Sequence, residues 1–174
     1  IIDAAFEEFL SNDTYAVCVA GDVTNDGEKA CHDEIYEKFR LFAEKKKLYV
    51  ITSTHDWCSD KNPRRFDGNE IFHDVETLTP TDLTEYYSVF GEKDEISAFE
   101  TPLGLRSRCF QVSDKLRLLA VHDDCDGSGG KSGYSEAHLS WMVNELKKAE
   151  LEQQKKAAED ALKDDNTEDE AQDS

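Results

Sequence analysis

Tyr15-Ala16-Val17-Cys18-Val19-Ala20-Gly21-Asp22-Val23-Thr24-Asn25-Asp26-Gly27 is the stretch on which the fold turns. Its first six residues are a continuous apolar run that stops at a glycine, the pattern of a strand covered on both faces. A polar loop follows. Glu28–Lys47 then repeats apolar residues at helical spacing (Ile35, Phe39, Phe42), and Leu48-Tyr49-Val50-Ile51 is a second apolar strand. Strand, helix and strand in that order predict an α/β domain.

The elements on either side agree. Ala4–Leu10 reads as a short amphipathic helix, and Pro80-Thr81-Asp82-Leu83 opens a helix with proline in its first turn, running to Phe90 before Gly91. Cys109–Val112 and Leu116–Val121 flank the polar turn Ser113-Asp114-Lys115, which predicts a hairpin. Ser135 starts a further helix with Leu139, Met142, Val143 and Leu146 on its buried side. Asp56–Thr79 reads as a long, polar, irregular loop, a kind of segment that is more often functional than accidental. Residues 1–149 thus form one domain. Residues 150–174 carry ten acids against three lysines, beginning as a helix (Glu150–Leu162) and continuing from Lys163 as a disordered tail.

The whole chain of 174 residues holds 20 Lys+Arg and 39 Asp+Glu, a net charge of −19, with 38% hydrophobic residues, enough for a core. A surface this acidic repels phosphate backbones and anionic lipid, so no nucleic-acid-binding surface is expected. No apolar run approaches the roughly 20 residues that span a bilayer. The five scattered cysteines include no CxxC pair and read as reduced thiols. The start at Ile1 shows no signal-peptide pattern and no initiator methionine, so the chain reads as a processed or internal piece. The cytoplasm is the expected compartment, with export left open because a signal would precede Ile1; the oligomeric state is not legible.

In open α/β sheets, sites collect at the carboxyl ends of strands. Three such ends carry acids or histidine: Asp22, Thr54-His55-Asp56, and His122-Asp123-Asp124. The first two end adjacent strands, so Asp22 and His55 are expected to converge. A carboxylate beside an imidazole suits metal ligation or acid–base work. The same residues also serve as a helix N-cap and a hydrogen-bonded loop histidine, and spacing alone leaves both readings open.

Gly21-Asp22-Val23-Thr24-Asn25-Asp26-Gly27 resembles the GDxxxxG block of calcineurin-like metallophosphoesterases, and Ser53-Thr54-His55-Asp56 resembles that family's GNHD block. Leu118–Val121 followed by Gly133–Trp141 resembles its later strand, glycine loop and helix. The resemblance covers residues 1–149. It implies a partial metallophosphoesterase sandwich, with β-sheets flanked by helices. It also implies hydrolysis of a phosphomonoester or phosphodiester by a hydroxide bridging two divalent ions, Mn, Fe or Zn. In that reading Asp22 bridges the metals, Thr54 stands where the family has a metal-binding Asn, His55 is the catalytic histidine, and Asp56 orients the imidazole or its loop. The family's opening D-x-H block and its later His and GHxH blocks are missing, which implies an incomplete metal centre.

Arg64 and Arg65 form a compact basic pair in the long loop and are candidates to grip a phosphate ester, with His122 a further substrate-side candidate. His32 reads as a surface group. Asp124-Cys125-Asp126-Gly127-Ser128-Gly129 resembles the start of an EF-hand loop, but position twelve is Ser135 rather than an acid. The leading expectation is a metallophosphoesterase-type hydrolase. The alternatives are a non-catalytic, degenerate relative that acts as a binding domain, and a Ca²⁺-binding module.

Overall fold

The computed structural model describes residues 1–123 and 133–171, with side chains to 159. Two compact units divide the chain, Ile1–Tyr134 and Ser135–Ser174. The first runs α1 (Ile2–Ser11), β1 (Ala16–Ala20), α2 (Lys29–Ala43), β2 (Lys47–Ile51), β3 (Arg65–Asp67), β4 (Glu70–Phe72), α3 (Pro80–Tyr87), β5 (Glu95–Glu100), β6 (Arg106–Ser113) and β7 (Leu116–Ala120); the second contains α4 (Glu136–Ala171). The architecture is mixed α/β. Among the described residues no helix is long and apolar enough to cross a membrane.

β1 and β2 pair in parallel, Ala16 opposite Lys47 through Ala20 opposite Ile51, with α2 as the crossover. The buried face of α2 is His32, Ile35, Phe39 and Phe42. Phe6 of α1 stacks on Phe42 with ring centroids 4.5 Å apart, and Tyr87 and Phe90 close on Phe39 from the α3 side. Leu48, Val50, Leu78 and Leu83 complete this core. Each such fully buried side chain contributes about 1.5–3 kcal/mol relative to exposure. α3 starts where the sequence predicts, because Thr79 Oγ1 accepts the Asp82 N–H while the Asp82 carboxylate accepts the Thr79 N–H.

β5, β6 and β7 form an antiparallel sheet. It joins the first sheet through Tyr49 and Phe110, whose rings lie 4.7 Å apart, and through Asp94, which accepts the Tyr49 O–H at 2.6 Å and a bond from Lys47. Buried Arg108 pairs with Glu95 and donates to the carbonyls of Ser88 and Phe90, both at 2.8 Å, so β6 caps the end of α3.

Three sequence expectations are corrected, and one strand is added. β1 is covered unevenly: Val17 and Val19 pack on the helical core, while on the other face Ala16 packs on the Tyr49–Phe110 cluster and Cys18 and Ala20 are exposed, because the helices lie on a single side of this two-stranded sheet. The Asp56–Thr79 region is not wholly irregular, since β3 and β4 form a hairpin around Gly68, whose φ is +60°. β5, flanked by acids, is a strand that the apolar pattern does not announce. In α4, Leu139, Val143 and Leu146 are exposed; periodicity decides which residues share a face, not whether anything covers it.

Candidate functional site

The loops that leave β1 and β2 are built against each other. Gly21 adopts φ +89°, and a Cβ there would sit 2.6 Å from Ser53 Cβ. Gly27, at φ +72°, would place a Cβ 2.8 Å from the Cys58 nitrogen. Both ends of the GDxxxxG stretch therefore need glycine for the same reason: the second loop occupies the space a side chain would take. Between them Asp22 itself holds a left-handed φ of +54°, which costs about 1–3 kcal/mol unless the surroundings enforce it.

The enforcing group is Asp56. Its carboxylate is fully buried in the 3₁₀ turn Thr54–Trp57. Oδ2 accepts the N–H groups of Asp22 (2.9 Å) and Ser53 (2.8 Å), and Oδ1 accepts those of Val23 (2.8 Å) and Thr24 (3.0 Å). The carboxylate is thus held by converging backbone dipoles from both loops, and among the described residues no basic side chain pairs with it. Asp56 orients the loops; the His55 imidazole takes a different partner.

His55 is exposed, and its Nδ1–H donates to the Asn25 carbonyl at 2.7 Å. Among the described residues its Nε2 has no hydrogen-bond partner and is left available as the working nitrogen. The Asn25 bond, with the negative charges of Asp22, Asp26 and Asp56, raises the pKa of His55 above its ordinary 6.5. Asp22 is exposed as well, so the carboxylate and the imidazole are presented to solvent by two loops that Asp56 ties together.

Three residues that matter here carry no function in the sequence reading. Asn25 acts through its backbone. His32, expected at the surface, is fully buried: one ring nitrogen lies 2.7 Å from the Tyr87 hydroxyl and the other 2.7 Å from the Asp56 carbonyl oxygen. The signal for His32 was its position three residues before Ile35, on the buried face of α2. Tyr87, from α3, is buried beside it, and burial pushes its hydroxyl well above the ordinary range.

The remaining candidates are placed elsewhere. Arg64 makes a two-pronged pair with nearly buried Asp26, Nε–Oδ2 2.8 Å and Nη2–Oδ1 3.0 Å, which holds the Asp26 carboxyl below the usual range. Arg65 lies 4.2 Å over the Phe72 ring and 3.6 Å from Asp74. Thr54 and His122 line a cavity of about 400 Å³ with Trp57, Leu105, Leu118 and Val121, and neither Asp22 nor His55 reaches its walls. His122 is buried, its N–H donating to Ser107 Oγ at 2.9 Å. Cys58, buried and donating to Asp60, has its thiol pushed up to about 11, which makes it a poor nucleophile. The EF-hand-like stretch beginning at Asp124 lies outside the described residues. Among the described residues no group of three or more His, Cys, Asp or Glu side chains is placed to hold a metal ion.

A scan against protein-family models finds no match, and no curated protein matches the chain.

Proposed function

We propose that the chain carries part of the active site of a metal-dependent phosphoesterase, a hydrolase of phosphomonoesters or phosphodiesters. The observation that supports this reading is the pair of loops locked by Asp56, one carrying exposed Asp22 and the other exposed His55, with the Asp22 charge acting on the imidazole. Toward divalent Mn, Fe or Zn the resemblance offers the Asp22 carboxylate and the Thr54 hydroxyl, and of these Thr54 lines a cavity whose walls Asp22 does not reach. Each such ion takes about four to six ligands, so this set does not fit a complete two-metal centre. The chemistry that the chain's own residues supply is proton transfer and positioning. Nδ1–H is committed to the Asn25 carbonyl, so a proton leaves or arrives at Nε2. The acidic surroundings favour the imidazolium, which can donate to the departing ester oxygen.

Leaving-group dependence tests this on the full-length reading frame supplied with Mn²⁺. His55→Ala is expected to lower phenyl phosphate turnover by about 10²–10⁴-fold. Turnover of p-nitrophenyl phosphate should fall less, because its leaving group departs as a stable anion. Unchanged turnover in His55→Ala, or no Mn²⁺-dependent turnover in the parent, contradicts the proposal. A second reading, a non-catalytic binding domain, is favoured by Thr54 standing where a carboxamide ligand is wanted. It predicts the latter outcome.

A further inference from the structure

His32 and Tyr87 are buried polar side chains with no direct part in the proton transfer. The Asp56 carbonyl can only accept, so His32 Nε2 carries the hydrogen, and in the neutral ring Nδ1 then accepts the Tyr87 O–H. Asp56 is therefore gripped twice: its carboxylate by the β1 loop and its carbonyl by α2, with α3 fixing the tautomer from behind. That carbonyl belongs to the residue directly after His55, in a turn whose other early carbonyls go to Cys58 and Ser59 N–H groups. Without His32 the Asp56 carbonyl loses its partner in a dry site, and the turn that carries His55 is left to the Asp56 carboxylate and to the backbone bonds at the Ser53, Thr54 and His55 carbonyls, a looser hold on the imidazole's place beside Asn25.

We infer that His32, held by Tyr87, is a positioning residue that sets the orientation of the His55 imidazole. The kinetic part of this inference rests on the phosphoesterase reading; the structural part does not. It makes two demands on substitutions. Gln at position 32 retains a donor near the place of Nε2, whereas Ala leaves both the Asp56 carbonyl and the Tyr87 hydroxyl unsatisfied in a dry site.

The test is ¹H–¹⁵N long-range correlation NMR on the chain, combined with kinetics on the full-length reading frame. The wild-type spectrum is expected to show His32 as the Nε2–H tautomer. His32→Ala should displace the His55 imidazole signals and the Asp22–Thr24 amides, and His32→Gln should restore them. If His32→Ala fails to fold, Tyr87→Phe carries the test, with a smaller displacement in the same signals. With phenyl phosphate and Mn²⁺, His32→Ala should lose roughly tenfold in kcat at unchanged KM, consistent with one misplaced hydrogen bond, and His32→Gln should regain most of it. An Nδ1–H tautomer, or undisturbed His55 signals in folded His32→Ala or in Tyr87→Phe, overturns the inference. Displaced signals in a parent with no turnover uphold it and overturn the phosphoesterase reading instead.

Discussion

The loop pair Gly21–Gly27 and Ser53–Cys58 and the hairpin β3–β4 are both polar, yet they are held by opposite means. In the loop pair one buried carboxylate gathers four backbone N–H groups, two glycines fit against the facing backbone, and a buried histidine fixes the carbonyl side. The hairpin has three residues per strand, nearly all exposed, with Phe66 and Ile71 facing solvent. The comparison teaches that polarity alone does not mark a mobile or dispensable segment. What matters is whether the polar groups are dry and mutually satisfied.

The sharpest way to break the contrast is Asp56→Ala. It strips the acceptor from four backbone donors at once, so a loss of about 3–5 kcal/mol is expected, read as a large fall in urea midpoint with an unchanged slope. A loss below about 1 kcal/mol would equate this turn with the hairpin. Arg64→Ala probes the link between the regions, since Arg64 precedes β3 but binds Asp26 of the first loop. Arg64 is 40% exposed, so a fall in urea midpoint well short of that of Asp56→Ala is expected. The sign with pH follows from the lowered folded-state pKa of Asp26. Its contribution is complete above the unfolded value near 4 and is lost as pH falls through the lower folded value, so acid titration should narrow the gap between wild type and Arg64→Ala. Arg65→Ala, which removes only an exposed stacking contact and a distant acid, is expected to stay within about 0.5 kcal/mol by the same denaturant measurement.

The legible and illegible parts of the sequence divide along the same line. β1, α2 and β2 are readable because burial leaves a written trace: an apolar run ending at Gly21, then Ile35, Phe39 and Phe42 on one helical face. Thr79, Pro80 and Asp82 announce α3 through capping chemistry that is local in sequence. β3 and β4 leave no trace, because three exposed residues per strand cannot show an alternation. β5 is specified by partners elsewhere, Glu95 answering Arg106 and Arg108 on β6. At the candidate site, Asp22 and His55 are legible as residues at strand ends. The means of holding them are not: Asn25 contributes a backbone oxygen, and Asp56 binds amides 32 to 34 positions away. His32 was readable from its helical spacing but not from its residue type.

In the proposed site two neighbouring strands bring Asp22 and His55 to one place. Paramagnetic broadening by Mn²⁺ measures this most directly. Sub-stoichiometric Mn²⁺ is expected to broaden the amides of Asp22–Asn25 together with those of Thr54 and His55, to leave β3–β4 sharp, and to lose its effect in Asp22→Asn. Broadening confined to the acidic residues beyond Glu150, with both loops untouched, would contradict it.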